Sequence, residues 1–224
     1  MPGTLYLVST PIGNDGDITL RAIKTLSDVD FIACEHIKAA NVLLRRLSIE
    51  KPIIECFGSN RLQITKQIMT RLNQGESCAL ISDAGSPAIA DPGEYYVRAC
   101  LALGIRVVSV PGPCAAIAAL TVSGLQTGRF TFEGFLSKAK KSRYEHLEGL
   151  KNERRTMIFY EVSRKLKATI ADMSDAFGDR KVIILRDLTK PGEDCFSTTL
   201  FNAKSKYDKP AKGEYVLVVE GYTD

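Results

Sequence analysis

Cys78-Ala79-Leu80-Ile81-Ser82-Asp83-Ala84-Gly85-Ser86-Pro87, continued by Ala88-Ile89-Ala90-Asp91-Pro92-Gly93, is the stretch that decides the fold. Four apolar residues in a row read as a buried strand, and the Gly/Pro-rich loop that follows directly ends it. Residues 95–103 then place apolar side chains at helical spacing and are closed by Gly104, after which 106–110 read as the next strand. Strand, loop, helix and strand in that order make a βαβ crossover, the unit of a mostly parallel sheet with helices on both faces.

The same alternation extends toward the N-terminus. Strands are predicted at 4–9, 30–34 and 52–56, and helices at 18–26, 39–47 and 62–72. A fifth helix begins at 115–120. Ser123-Gly124-Leu125-Gln126-Thr127-Gly128 reads as a linker, which divides the chain into 1–123 and 124–224. The second part is expected to be a smaller α/β domain with a mixed sheet, with helices at 144–150 and 166–177 and strands at 156–160, 182–187, 195–200 and 215–220.

Composition agrees with a folded chain of 224 residues, long enough for one large domain or two compact halves. Hydrophobic residues at 45% and charged residues at 25% exclude a disordered chain or a fibre, and a net charge of +4 permits a polyanionic partner without requiring one. Cys34, Cys56, Cys78, Cys100, Cys114 and Cys195 stand singly, with no C-x-x-C, so no metal site is expected and a reducing cytoplasm is. The apolar runs are strand-sized rather than membrane-sized, and neither a leader nor a membrane anchor is expected.

Three Gly/Pro-rich loops each follow a predicted strand: 10–17, 82–93 and 111–116. In a parallel sheet, ligands bind beyond the carboxyl ends of the strands, and small residues let backbone groups approach them closely. Neither G-x-x-x-x-G-K-[ST] nor a G-x-G-x-x-G after the first strand is present, which removes the main support for ATP hydrolysis and dinucleotide redox chemistry. A neutral or zwitterionic ligand with an adenosine part suits such loops, with Asp83 on its amino group or ribose; an Asx turn is the alternative reading of Asp83.

Six ordered motifs carry a resemblance that spans nearly the whole chain. They are residues 5–14, the loop from Ile81 to Gly93, Val110-Pro111-Gly112-Pro113-Cys114-Ala115-Ala116, Glu133-Gly134-Phe135-Leu136, Ile158-Phe159-Tyr160-Glu161 and Leu188-Thr189-Lys190. Together they resemble the ribosomal small-subunit RNA methyltransferase I family of the tetrapyrrole methylase class. The resemblance implies two αβα domains, a homodimer, S-adenosyl-L-methionine bound in the cleft between the domains, and 2′-O-methylation of a cytidine in small-subunit ribosomal RNA. It places the cofactor against Pro11, Asp83, Gly85, Ser86, Ile89, Cys114 and Ala115, and adds Tyr160, Leu188, Gly213 and Glu214 from the second domain.

A ribose hydroxyl is a weak nucleophile, so its methylation needs alignment with the departing sulfur and a group to take its proton. By loop position Glu35 and Asp17 are the carboxylates for this, with Arg21 and Lys38 to hold the adjacent phosphate; Glu35 as a helix cap is the competing reading. The chain departs from the family where Glu35-His36-Ile37-Lys38 replaces Glu-Asp-Thr-Arg and Ser59-Asn60-Arg61 replaces His-Asn-Glu. His146 is expected only to pack or face solvent. Lys138, Lys140, Lys141 and Arg143, followed by Lys151, Arg154 and Arg155, read either as a solvated loop or, as the resemblance favours, as a candidate phosphate-contacting surface for ribosomal RNA or the small subunit. Two other functions compete: a small-molecule tetrapyrrole methylase, and a non-catalytic protein that binds the cofactor and RNA.

Overall fold

The computed structural model describes residues 1–56, 58, 60–91 and 93–223; Ser59, Pro92 and Asp224, which the sequence reading touches, lie outside the described residues. The chain forms two compact units, Met1–Cys114 and Ala115–Asp224.

The first unit runs β1 (Thr4–Val8), α1 (Leu20–Asp28), β2 (Phe31–Cys34), α2 (Ile37–Arg46), β3 (Ile53–Glu55), α3 (Arg61–Asn73), β4 (Cys78–Ile81), α4 (Glu94–Ala102) and β5 (Arg106–Val110). Its five strands are all parallel in the order β3-β2-β4-β1-β5. Alternation along β1 sorts side chains by face. Leu5 packs with Phe31, Leu80, and Ile68, Leu72, Tyr96 and Cys100 of α3 and α4, whereas Val8 packs with Ile32, Ile81, and Ala22, Leu26, Ala40 and Leu44 of α1 and α2. Each large side chain so buried contributes about 1.5–3 kcal/mol. Thr19 caps α1 by accepting the Ala22 N–H at 3.0 Å, worth about 1 kcal/mol.

This arrangement positions a site. The connection leaving β1 passes over one face of the sheet and that leaving its neighbour β4 passes over the other, so a topological switch point lies between them. The loops after β1 and β4, both singled out in the sequence, flank it.

The second unit runs α5 (Ala115–Val122), β6 (Phe130–Phe135), α6 (Lys140–Gly149), β7 (Thr156–Val162), α7 (Ser163–Phe177), β8 (Lys181–Arg186), β9 (Asp194–Thr199), α8 (Leu200–Lys206) and β10 (Glu214–Val219). Its sheet is mixed and also five-stranded, in the order β6-β7-β10-β8-β9, with only β6–β7 parallel. The division between units falls before α5, not after it at 123/124, because α5 packs on β7 and β10. Ser123 belongs to a turn that closes α5: its hydroxyl donates to Leu120 O at 2.8 Å and accepts the Leu125 N–H at 3.1 Å.

Two elements of this unit escape sequence reading. β6 is an edge strand with a register shift between Phe132 and Gly134, the glycine at φ 61°, so its alternation is broken. α8 is a polar seven-residue helix whose N-cap, Thr199, is the last residue of β9.

Candidate functional site

Hydrogen bonds stitch the three loops of the first unit together. Thr10 and Gly85 exchange backbone bonds of 2.9 and 3.1 Å as an isolated antiparallel bridge. Ser86 Oγ donates to Pro113 O at 3.0 Å, so its single proton is committed and Ser9 Oγ, 2.9 Å away, is the donor to Ser86. A Cβ on Gly112 would lie 2.9 Å from Ser9 Cβ, and one on Gly85, at φ 81°, would lie 3.3 Å from Ile12. Glycine is therefore required by the close approach of the loops. Pro11 and Gly85 are buried, Ser86 and Cys114 are half-buried, and Ile89 and Asp83 are exposed at the rim. Sequence reasoning named all six, and the structure brings the three loops that carry them to one sheet edge.

Backbone strain gathers in the 82–93 loop. Ala88 and Ala90 adopt left-handed conformations, φ 69° and 61°, each costing about 1–2 kcal/mol relative to the ordinary helical region. The loop doubles back so tightly that a Cβ on Gly93 would lie 2.8 Å from the Ala88 nitrogen. Strain of this kind persists where surrounding structure enforces it, and it clusters at functional sites. Asp91 sits in this strained stretch.

Three titratable side chains meet at the ends of β2 and β4, and a fourth, Asp91, feels the charge of two of them. Cys34 and Ile81 are register partners, so Glu35, His36 and Asp83 emerge side by side, and their nearest ligand-type atoms all lie within 4.8 Å of one another. His36 Nδ1 is 2.7 Å from Asp83 Oδ2; this bond, followed by the Asp83 charge, raises the His36 pKa. Burial, then the Asp83 charge, raises the Glu35 pKa. Burial, then Glu35, pushes Asp91 up to about 6, with the Ser82 hydroxyl pulling it down and Asp83 adding to the rise. His36, rather than Glu35, is the N-cap of α2, and its side chain makes no cap bond, turning to Asp83 instead. Arg21 and Lys38 stand exposed in the first turns of α1 and α2.

Sequence reading missed this cluster as a group of potential ligands, because Glu35-His36 and Asp83 are distant in sequence. It missed Asp91 because an Asp-Pro-Gly reads as a turn.

In the second unit, Tyr160 Oη accepts the Ala116 N–H at 2.9 Å, satisfying one of the free donors at the start of α5, which Ala115 opens. Its ring meets Phe132 and Phe135 edge-on at 4.9 and 5.5 Å. Leu188 is buried between Asp187 and Thr189, both left-handed at φ 50° and 64°. Asp187 Oδ1 accepts the Glu214 N–H at 3.2 Å, and a Cβ on Gly213 would lie 2.6 Å from Asp187 Oδ2. Lys190 Nζ lies 2.6 Å from Glu214 Oε2 and 3.7 Å from Asp187 Oδ1.

Of the candidate phosphate contacts, Arg143 does not qualify. It is buried, its Nε donates to Asp172 Oδ2 at 2.6 Å, and its Nη1 reaches Ser137 O at 3.1 Å, so it pins α6 to α7. The sequence places it in a run of cations, but helical geometry turns it inward while Lys138, Lys140 and Lys141 remain exposed. Arg155 pairs with Glu153 at 2.7 Å, and His146 Nε2 lies 2.9 Å from Glu133 Oε2. Among the described residues no helix is long and apolar enough to cross a membrane.

Comparison with known proteins agrees with this architecture. The model of the Tetrapyrrole (Corrin/Porphyrin) Methylases matches residues 4–204. Ribosomal RNA small subunit methyltransferase I of Xylella fastidiosa is 44% identical over 227 residues, covering 100% of this chain and 83% of that protein. The protein of the same name from Synechocystis is 44% identical over 223 residues, covering 99% and 80%. Uroporphyrin-III C-methyl transferase from Thermus thermophilus, solved with S-adenyl homocysteine, shares the fold at TM-score 0.68 and 18% identity over 96% of this chain and 97% of that one. The chain belongs to the tetrapyrrole methylase family and, within it, to the ribosomal RNA small subunit methyltransferase I family.

Its methyl donor is S-adenosylmethionine. The first unit's loops suit a ligand of that kind: backbones are packed as closely as glycine permits, and Asp17 Oδ2 in the first loop is buried without a hydrogen-bond partner.

Proposed function

We propose that this chain methylates the 2′-hydroxyl of a cytidine in small-subunit ribosomal RNA, acting as a homodimer in the cytoplasm. The observation that carries the reading is the conjunction of three hydrogen-bonded Gly/Pro loops at the switch point with a carboxylate cluster at the same strand ends. Identity of 44% to proteins named for small-subunit ribosomal RNA supports RNA as the substrate.

On this reading Pro11, Asp83, Gly85, Ser86, Ile89 and Cys114 hold the donor, with Ala115, Tyr160, Leu188, Gly213 and Glu214 as the second unit's contribution. S-adenosylmethionine supplies a methyl group made electrophilic by its sulfonium, for which no Lewis acid is needed; we assign no metal to Glu35, His36 and Asp83. Glu35 binds the attacking hydroxyl. Arg21 and Lys38 neutralise the neighbouring phosphate, and Lys138, Lys140 and Lys141 contact the backbone further away.

One observation favours the non-catalytic alternative: His36 occupies Asp83 Oδ2, an atom the donor would otherwise use. Mapping 2′-O-methyl groups in ribosomal RNA from cells with and without the protein decides between them. Loss of a single cytidine mark is expected. An unchanged map, with cofactor binding intact, overturns the catalytic reading.

A further inference from the structure

We propose that Arg164, Lys165, Lys209 and Lys212 form a second surface for the phosphate backbone of ribosomal RNA, beside Lys138, Lys140 and Lys141 at one end of the second unit. The proposal rests on the RNA-substrate reading above and adds to it where on this unit the strand is held. Charge already favours the unit. The first has eleven Lys and Arg against eleven Asp and Glu, so the whole net charge of +4 belongs to the second.

Topology gathers these residues, which the sequence scatters over three segments. Phe135 of β6 is the register partner of Tyr160 in β7, and Val162 that of Glu214 in β10, so the end of β6, the end of β7 and the start of β10 share one end of the sheet. Lys138, Lys140 and Lys141 follow β6 there, α7 starts there with Ser163-Arg164-Lys165, and the segment 207–213 returns there to β10. Contacts fix that segment against α7. The Ser163 N–H donates to Gly213 O at 3.2 Å, Lys167 Nζ lies 2.5 Å from Asp208 Oδ1, and Tyr215 Oη donates to Ala211 O at 2.7 Å. On the other flank Arg143 and Asp172 pin α6 to α7.

The acids of this end are already engaged. Asp208 pairs with Lys167, and Asp187 and Glu214 share Lys190. Glu161 accepts from Thr169 Oγ1 at 2.6 Å and from the Val162 N–H at 2.8 Å, Glu193 accepts the Thr189 N–H, and Asp194 stands opposite Arg186. Among the described residues Arg164, Lys165, Lys209 and Lys212 make no ion pair, and all but the half-buried Lys165 are exposed. Helix dipoles count against this placement: α6 and α7 each open with two cations, no acidic residue and no side-chain cap, where a helix start favours acids. Stability alone would select the opposite charge. A polyanion laid across this end offsets the repulsion, and the same sheet end carries Tyr160, Gly213 and Glu214, assigned above to the donor.

The experiment measures binding to small-subunit ribosomal RNA from about 50 to 200 mM salt. Arg164→Gln, Lys165→Gln, Lys209→Gln and Lys212→Gln combined should flatten the log–log salt dependence by up to about 3 units, at roughly 0.7–0.9 per phosphate contact. Arg164→Lys with Lys165→Arg, Lys209→Arg and Lys212→Arg keeps the charges and should keep the slope. Thermal melting of the Gln variant should hold or rise, because the start of α7 loses its cations, and S-adenosylmethionine affinity by calorimetry should stay within a few-fold. A wild-type slope in the Gln variant overturns the proposal. So does a loss of slope that the charge-keeping variant shares, which marks a structural role, or a change in oligomeric state with the slope intact, which marks a contact between copies. Wild-type binding that is itself independent of salt overturns the RNA reading as well, whereas salt-dependent wild-type binding untouched by the four substitutions overturns this surface alone.

Discussion

The two units each bend a loop with a pair of left-handed, non-glycine residues, Ala88 and Ala90 in the first and Asp187 and Thr189 in the second, yet they treat the carboxylates nearby in opposite ways. In the second unit Asp187 and Glu214 share Lys190, and Asp187 also accepts a backbone N–H. In the first, the Asp83 charge raises the pKa of Glu35, and Glu35 and Asp83 raise that of Asp91, with one histidine as counter-charge. Carboxylates closed by a cation fix a shape. Carboxylates left facing each other are poised to hold a proton, and only that arrangement suits acid–base chemistry.

The contrast breaks most readily at Arg143. With side chains only 11% and 13% exposed, Arg143 and Asp172 form a pair whose interruption strands a buried charge. Arg143→Ala should cost about 3–5 kcal/mol of stability. Denaturant unfolding checks this, and a loss below about 1 kcal/mol would put the pair among surface bridges and weaken the claim that the second unit's charges are structural.

The exposed cations of the same unit have a different role. Replacing Lys138, Lys140 and Lys141 together with Ala should flatten the log–log salt dependence of RNA binding by up to about 2–3 units, at roughly 0.7–0.9 per phosphate contact. Stability should change little, and cofactor affinity not at all. A slope equal to the wild type's would make these lysines a solvated face.

At the first unit's edge, Asp83→Ala should weaken S-adenosylmethionine binding about tenfold, roughly 1.4 kcal/mol, with little net change in stability, because relieving Glu35 and Asp91 of a like charge offsets the lost bond to His36. Calorimetry and thermal melting read the two effects separately. Unchanged affinity would mean that Asp83 serves only to anchor His36.

How much of this was legible beforehand follows from what is local. The strands Cys78–Ile81 and Arg106–Val110 carry their own apolar signal and lie where periodicity puts them, and the three loops announce themselves by glycine and proline. Burial of Arg143 was not legible. Its partner is on another helix, and a cationic run looks the same whichever way each side chain turns. The Glu35–His36–Asp83 group depends on β2 lying beside β4, a pairing of strands that are not consecutive in the chain. β6 was hidden by the bulge at Gly134, which breaks the period of two that would have revealed it.

The smallest effect is also the most direct comparison of the two regions, since their charges should respond to pH with opposite sign. His36 is raised above its ordinary 6.5 by its bond to Asp83, so the folded state holds that proton more tightly than the unfolded one. Its contribution to stability is complete below 6.5 and fades as pH rises through the higher folded value. Glu153 is held down from 4.5 to about 2 by the Arg155 side chain and backbone N–H, so its contribution is complete above 4.5 and is lost as pH falls toward 2. Thermal melting across pH therefore separates them: His36→Gln should flatten the decline on the alkaline side alone, and Glu153→Gln the decline on the acid side alone. His36 is exposed and its bond to Asp83 open to solvent screening, so its slope should be the shallower and should shrink with added salt. If His36→Gln leaves the alkaline decline unchanged, the histidine is not the counter-charge of the first unit's carboxylates, and the contrast between the two regions rests on Lys190 alone.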